Sequence, residues 1–244
     1  IPVSLVTGFL GSGKTTFLRE AAEQHRDQRI VYLVNEFAEA DVDGELLADL
    51  PGNAISIAGG SIFCRCKATD FIDALRRIVT DLPTSDGVPV EGVVIEATGI
   101  ANPMVIERLI RETGLDEHYR ITSIICIVDP GTFGKLIQTL PPIHAQVQAA
   151  DVVILNKCDL HDETELAVTE AEIASIRADA KIVRAQFGRA LLDLFGGRAE
   201  RGLEGETAPC RDPRFVGFSV ALDEEVDWPT LAEAIERVRD DLYR

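Results

Sequence analysis

The stretch Gly8-Phe9-Leu10-Gly11-Ser12-Gly13-Lys14-Thr15 leaves few folds open to this chain. It fits the pattern G-x-x-x-x-G-K-[ST] and lies between a β-branched run at residues 3–7 and an amphipathic stretch at 15–25. A strand that turns through glycines into a helix N-terminus is a device for binding phosphate. Successive backbone N–H groups curl inward around anionic oxygens. Side chains at Gly8, Gly11 and Gly13 would block that approach or forbid the backbone angles it needs. The pattern predicts that Lys14 reaches the β- and γ-phosphates and that the Thr15 hydroxyl ligates Mg²⁺. Ser12, Gly13 and Thr16 complete the cradle.

The rest of the chain repeats the strand-then-helix rhythm. Short β-branched runs recur at 30–34, 54–58, 93–96, 121–128, 152–155 and 181–184. They alternate with amphipathic stretches at 70–80, 103–111 and 163–177, so the expected class is α/β. A mostly parallel sheet is flanked by helices, as in P-loop NTPases. The domain is expected to span 1–195, followed by a Gly-, Glu-, Arg- and Pro-rich linker at 196–213. Residues 214–244 form a small, partial α+β piece, with a strand at 215–221 and a helix after Asp227. Leu231, Ile235, Val238 and Leu242 fall four, three and four apart, which predicts one buried face on that helix. The polar, acidic segment 36–53 is long for a connection, which marks it as functional or disordered.

Charge narrows the partners. Lys and Arg total 24 against 41 Asp and Glu, giving a formal net charge of −17. That field opposes nucleic acid at every approach. No window offers the roughly 18 to 20 continuous apolar residues of a membrane span, and the amino end lacks the build of a signal peptide. The 5 cysteines are odd in number and irregularly spaced, unlike a disulfide framework. Reduced thiols and a cytoplasmic location are the expectation. Cys126, within an apolar run, is expected to be a packed core thiol.

Two further motifs carry chemistry. Val93-Val94-Ile95-Glu96-Ala97-Thr98-Gly99 ends an apolar run on an acid and a glycine. There Glu96 can serve the metal or an attacking water, and the Gly99 N–H can meet a γ-phosphate until hydrolysis releases it. Catalysis is therefore assigned to Lys14, Glu96 and Gly99. Asn156-Lys157-Cys158-Asp159 follows another apolar run. The Asp159 carboxylate can accept from guanine N1–H and the N2 amino group, Lys157 can lie along the base, and Asn156 can tie this loop to the phosphate loop. Adenine offers no such pair of donors, so GTP and GDP are favoured over ATP.

Together these motifs, with Asn35-Glu36-Phe37 and Val42-Asp43-Gly44-Glu45-Leu46-Leu47, resemble the CobW-type GTPases, relatives of the GTPases that help mature urease and hydrogenase. The resemblance implies a SIMIBI-class P-loop GTPase that couples Mg²⁺-GTP binding and slow hydrolysis to holding a transition metal. That metal, Zn²⁺ or Co²⁺, would pass to a client metalloprotein or cofactor-assembly enzyme, with a homodimer as a further partner. It also places Glu36 and Asp43 in a segment near Mg²⁺ and gives Glu96 the role of the usual Walker B aspartate. Ala38 departs from the family's usual glycine.

A larger departure concerns the metal. The family's C-x-C-C motif falls on Ser61, Phe63 and Cys64, so one of three thiols is kept, and Cys66 is added two residues on. If the stretch is extended, Cys64 and Cys66 project to one side and can share a soft ion. Two ligands do not fill a tetrahedral site. Others would come from Glu36, Glu39, Asp41, a histidine, water or a second copy of the chain. The alternative reading is a nucleotide-gated scaffold or activator of a client enzyme that carries no metal. A P-loop small-molecule kinase, which would prefer ATP, ranks behind both.

Overall fold

A computed structural model describes residues 1–36, 53–58, 63, 68–81, 89–196, 202–203, 205 and 226–238. Seven strands form one sheet: β1 (Pro2–Gly8), β2 (Ile30–Glu36), β3 (Asn53–Ala58), β4 (Gly92–Glu96), β5 (Arg120–Val128), β6 (Val152–Leu155) and β7 (Lys181–Arg184). Their order is β3-β2-β4-β1-β5-β6-β7, and every neighbouring pair is parallel. Each of the seven β-branched runs read as strands between residues 3 and 184 is a strand here. Buried on both faces, such strands need no polar alternation and stand out as continuous apolar runs.

The helices are α1 (Lys14–Gln24), α2 (Ala68–Thr80), α3 (Ile106–Glu112), α4 (Pro130–Thr139), α5 (Pro141–Ala149), α6 (Glu163–Ile176) and α7 (Trp228–Val238). On one face of the sheet Val3, Leu5, Leu33 and Ile95 pack with Phe71, Leu75 and Ile78 of α2 and Ile106 and Ile110 of α3. On the other, Val6, Tyr32, Val94 and Ile127 pack with Phe17 and Leu18 of α1. Each fully buried side chain of this size contributes about 1.5–3 kcal/mol, so the strand that feeds the phosphate loop is anchored from both sides.

Two helices, α4 and α5, were not legible in the sequence. Each opens on proline at its first position, where the missing N–H costs nothing, yet Asp129-Pro130-Gly131 and Pro141-Pro142 read as turn signals. The helix expected at 103–111 begins as a 3₁₀ turn, Pro103–Val105, capped by Asn102 Oδ1 accepting from Met104 N. A reciprocal capping box between Asp162 and Glu165 fixes the start of α6.

The chain divides into two compact units, Ile1–Asp212 and Pro213–Arg244. Within the first, Leu203 is buried in the core, and its N–H donates to Glu107 Oε2 at 2.8 Å. In the second, α7 forms; of the four residues expected to share one face, Leu231 is half-buried and Ile235 is 45% exposed, while the Val238 side chain and Leu242 lie outside the described residues. The expected strand at 215–221 and most of the 36–53 segment lie outside the described residues. Among the described residues no helix is long and apolar enough to cross a membrane.

Candidate functional site

In a parallel sheet the loops leaving the carboxyl ends of the strands share one edge, and ligands bind where the strand order reverses. Here β1 sits between β4 and β5, and the loops after β1, β4, β5, β6 and β7 hold most of the singled-out residues.

The loop after β1 requires its glycines. Gly8, Gly11 and Gly13 have φ of 140°, 74° and 102°, values that side chains rarely tolerate. A Cβ at Gly8 would collide with the Ile127 carbonyl oxygen, and one at Gly13 with Asn156 Nδ2. The loop closes through Ser12 N donating to Phe9 O at 3.2 Å, and α1 starts with Phe17 N donating to Gly13 O at 2.9 Å. Lys14 is buried, with Nζ donating to Phe9 O at 3.1 Å, so the ammonium folds back across the loop. Thr15 is half-buried and Thr16 exposed at the opening of the helix.

Beside it, β4 ends in buried Glu96, whose neighbour across the ladder is Val6 of β1. Ala97 N donates to Val6 O at 2.9 Å, and a turn follows in which Ala101 N donates to Thr98 O at 2.9 Å. Gly99 rests on the phosphate loop: a Cβ there would be 2.6 Å from Leu10 N. Ser12 Oγ and Thr98 Oγ1 are buried and have no hydrogen-bond partner among the described residues. Ser4 Oγ, Thr7 Oγ1 and Tyr32 OH share that condition among the described residues.

At the far end, Asn156 is 2% exposed and joins three loops. Its Nδ2 donates to Ser12 O at 2.9 Å, and its Oδ1 accepts from Gly188 N at 3.0 Å in the loop after β7. Lys157, at φ 59°, places Nζ 2.6 Å from Asp129 Oδ2. Asp159 is exposed in the 3₁₀ turn Cys158–Leu160. The structure thus brings Gly8 to Thr16, Glu96, Gly99, Asn156 and Lys157 to one edge.

Sequence reasoning missed Asp129, Gly188 and Phe187. Asp129 follows β5 much as Glu96 ends β4, an acid closing an apolar run, and that signal was available. Its Oδ1 also accepts from Gly131 N at 3.0 Å, capping α4. Phe187 combines φ 53° with 63% exposure, an uncommon pairing for an aromatic residue.

The proposed transition-metal residues Cys64 and Cys66, and Asp43, lie outside the described residues, as does the Glu36 side chain. Phe63, at one of the family's cysteine positions, is buried and meets Phe71 edge-on at 6.0 Å. Among the described residues no group of three or more His, Cys, Asp or Glu is placed to hold a metal ion. Cys126 is buried, and burial pushes its thiol up to about 12. Burial also raises Cys158, whose Sγ donates to Leu155 O at 3.1 Å.

Comparison with known proteins adds relatives. The model of the family described as CobW/HypB/UreG, nucleotide-binding domain, matches residues 2–184. The chain is similar to the zinc-regulated GTPase metalloprotein activator 1 of Schizosaccharomyces pombe, at 29% identity over 91% of this chain and 56% of the relative. It is 31% identical to the zinc chaperone CobW of Pseudomonas aeruginosa, over 86% of this chain and 63% of the relative. The chain therefore spans less than two thirds of the length of these two proteins. Among solved structures, the Zn(II)-bound YjiA GTPase from E. coli superposes with a TM-score of 0.54 at 23% identity, covering 99% of this chain and 78% of that one. That likeness bears on the fold.

Proposed function

Since the chain belongs to the CobW/HypB/UreG nucleotide-binding family, we propose that it is a GTP-binding and GTP-hydrolysing metallochaperone. In this reading it couples Mg²⁺-GTP to the holding and delivery of a transition metal. One observation carries the nucleotide half: the Asn156 side chain ties the loop bearing Asp159 to the phosphate loop and to Gly188. A loop built only to connect β6 with α6 has no need of that bridge.

In the proposed complex the amides of Gly8 to Thr16 hold the phosphates, and the α1 N-terminus adds its dipole. Lys14 exchanges the Phe9 carbonyl for β- and γ-phosphate oxygens. Asp159 accepts from guanine, and with adenine that carboxylate goes unpaired, a penalty of about 1–3 kcal/mol. The donor set fits magnesium. The Thr15 hydroxyl and the Glu96 carboxylate are the hard oxygen ligands that cation takes, with partnerless hydroxyls at Ser12 and Thr98 on the same edge. Glu36 and Asp43 join that set on the family resemblance. Bound there, the ion would neutralise charge building between the β- and γ-oxygens. The Gly99 N–H would sense the γ-phosphate. No motif fixes an arginine finger, so intrinsic turnover to GDP and phosphate is slow until a partner, metal or second copy accelerates it.

The cargo is proposed to be Zn²⁺ or Co²⁺ on Cys64 and Cys66, passed to a client metalloprotein or cofactor-assembly enzyme, in the cytoplasm where thiols stay reduced. Zinc appears in the names of the Schizosaccharomyces pombe and Pseudomonas aeruginosa relatives. A specific observation favours the second reading, a nucleotide-gated scaffold without metal. Phe63 occupies a family thiol position and is committed to the core, so that position cannot bind metal.

Calorimetry with GDP and ADP in magnesium buffer tests the first half, and at least tenfold tighter GDP is expected. Equal affinities, or no binding of either nucleotide at millimolar concentration, would end this reading. Metal analysis of the reduced protein beside a Cys64→Ser, Cys66→Ser variant tests the second. Bound metal that disappears in the variant supports the chaperone, absence of metal from both proteins supports the scaffold, and equal bound metal in both rules out Cys64 and Cys66 as its ligands.

A further inference from the structure

Gln146 lies in α5, between β5 and β6, outside every motif that the nucleotide reading uses. It is 1% exposed, and its Nε2 donates to both Gly99 O and Ala101 O at 3.1 Å. Two carbonyl acceptors on one amide nitrogen fix which way the amide faces, because the flipped amide would set oxygen against oxygen. The bonds close on a turn that, among the described residues, is otherwise fastened by one backbone bond, Ala101 N to Thr98 O. Within that turn Gly99 abuts Leu10 of the phosphate loop closely enough to leave no room for a Cβ. Gln146 also lines a small cavity, with Phe9, Ser12, Cys126 and Asp129, beneath that loop.

A buried glutamine on a helix is an expensive choice where an apolar residue would pack, unless both of its bonds are needed. Here they hold, from behind, the turn that faces the phosphates. A solvated turn would wander between conformations, and a hydrogen bond from Gly99 to a γ-phosphate would then have to order it first.

We propose that Gln146 is a positioning residue for γ-phosphate recognition: by clamping the carbonyls of Gly99 and Ala101 it holds the Thr98–Ala101 turn ready against the phosphate loop. The proposal rests on the GTPase reading and names a residue that reading does not include. Because the clamp acts on the turn alone, losing it should spare the contacts shared by GDP and GTP.

The test compares wild type with Gln146→Met, which keeps the volume and removes the donor, and Gln146→Glu, which keeps the shape and sets an acceptor against two carbonyls. GDP and the non-hydrolysable analogue GppNHp are titrated by calorimetry, and turnover of GTP is followed by phosphate release. For both variants GDP affinity is expected within threefold of wild type, while GppNHp affinity and kcat each fall at least tenfold. Affinities for GDP and GppNHp that fall in parallel make Gln146 a fold residue and overturn the proposal, as does a GppNHp affinity within twofold of wild type. If wild type itself hydrolyses no GTP, the hydrolytic reading fails, and the ratio of the two affinities still judges Gln146.

Discussion

Replacing Asn156 with alanine should cost both fold and ligand, in proportions that the geometry sets. The side chain is 2% exposed and makes two bonds, Nδ2 to Ser12 O at 2.9 Å and Oδ1 from Gly188 N at 3.0 Å. Truncation leaves a buried carbonyl and a buried N–H without those partners. At about 1–3 kcal/mol for each group stranded, the expected loss of stability is about 2–6 kcal/mol, less whatever water can recover. Asn156→Asp separates the two bonds. It keeps an acceptor for Gly188 N but turns a carboxylate oxygen towards Ser12 O, in a buried place where charge is costly. The aspartate should therefore be no more stable than the alanine at pH 7 and should recover as pH falls and the carboxyl becomes a donor. Urea unfolding read by circular dichroism measures stability, and calorimetry with GDP measures the ligand. GDP affinity should fall at least tenfold in both variants, because Ser12 and the Asp159 loop are no longer held in one arrangement. An alanine variant within 0.5 kcal/mol of wild type that still binds GDP normally would refute the idea that this bridge organises the site.

Asp129 has two separable jobs, since one oxygen caps α4 through Gly131 N and the other holds Lys157 Nζ. Asp129→Asn should keep the cap and lose much of the hold on Lys157, weakening GDP about fivefold with little change in stability. Asp129→Ala should in addition lose about 1 kcal/mol of the cap, and equal stability of the two variants would contradict this division. Cys126 yields a pH signature. Burial raises its thiol to about 12, so the folded state holds a proton that the unfolded chain releases near the ordinary thiol range. The stabilisation is complete below about pH 8.5 and is lost as pH climbs from there towards 12, at roughly 1.4 kcal/mol per unit. The stability difference between wild type and Cys126→Ala should shift by that slope above pH 9 in urea titrations, and a difference independent of pH would remove the argument.

The strands were legible because a parallel strand covered on both faces is an uninterrupted apolar run, and the order of such runs leaves little choice of class. α4 was not, because Gly131 and Gly134 dilute its helical signal and Pro130 mimics a turn. In α5 the only large apolar side chains are Ile143 and Val147, one turn apart, which is too little for a periodic pattern. The same division runs through the candidate site. Atoms that would face a phosphate sit on one short peptide, and their spacing is dictated by the ligand's size, so the chain displays them as a string. The groups holding that peptide are chosen by proximity in space. Asn156 reaches Ser12 across 144 positions, and Gln146 reaches Gly99 across 47. The first bond was foreseen from the place of Asn156 in its motif, whereas Gln146 belongs to no motif and leaves no local spacing to read. The register of Gly8 against Ile127 and of Val6 against Glu96 brings the loops after β1, β4 and β5 side by side, and a shift of one ladder position would part Gly99 from Leu10. The phosphate loop is therefore a local feature whose geometry depends on the whole sheet. Substitutions that loosen the β1–β4 pairing, such as Ile95→Ala in the core, should weaken nucleotide binding without touching a residue of any motif.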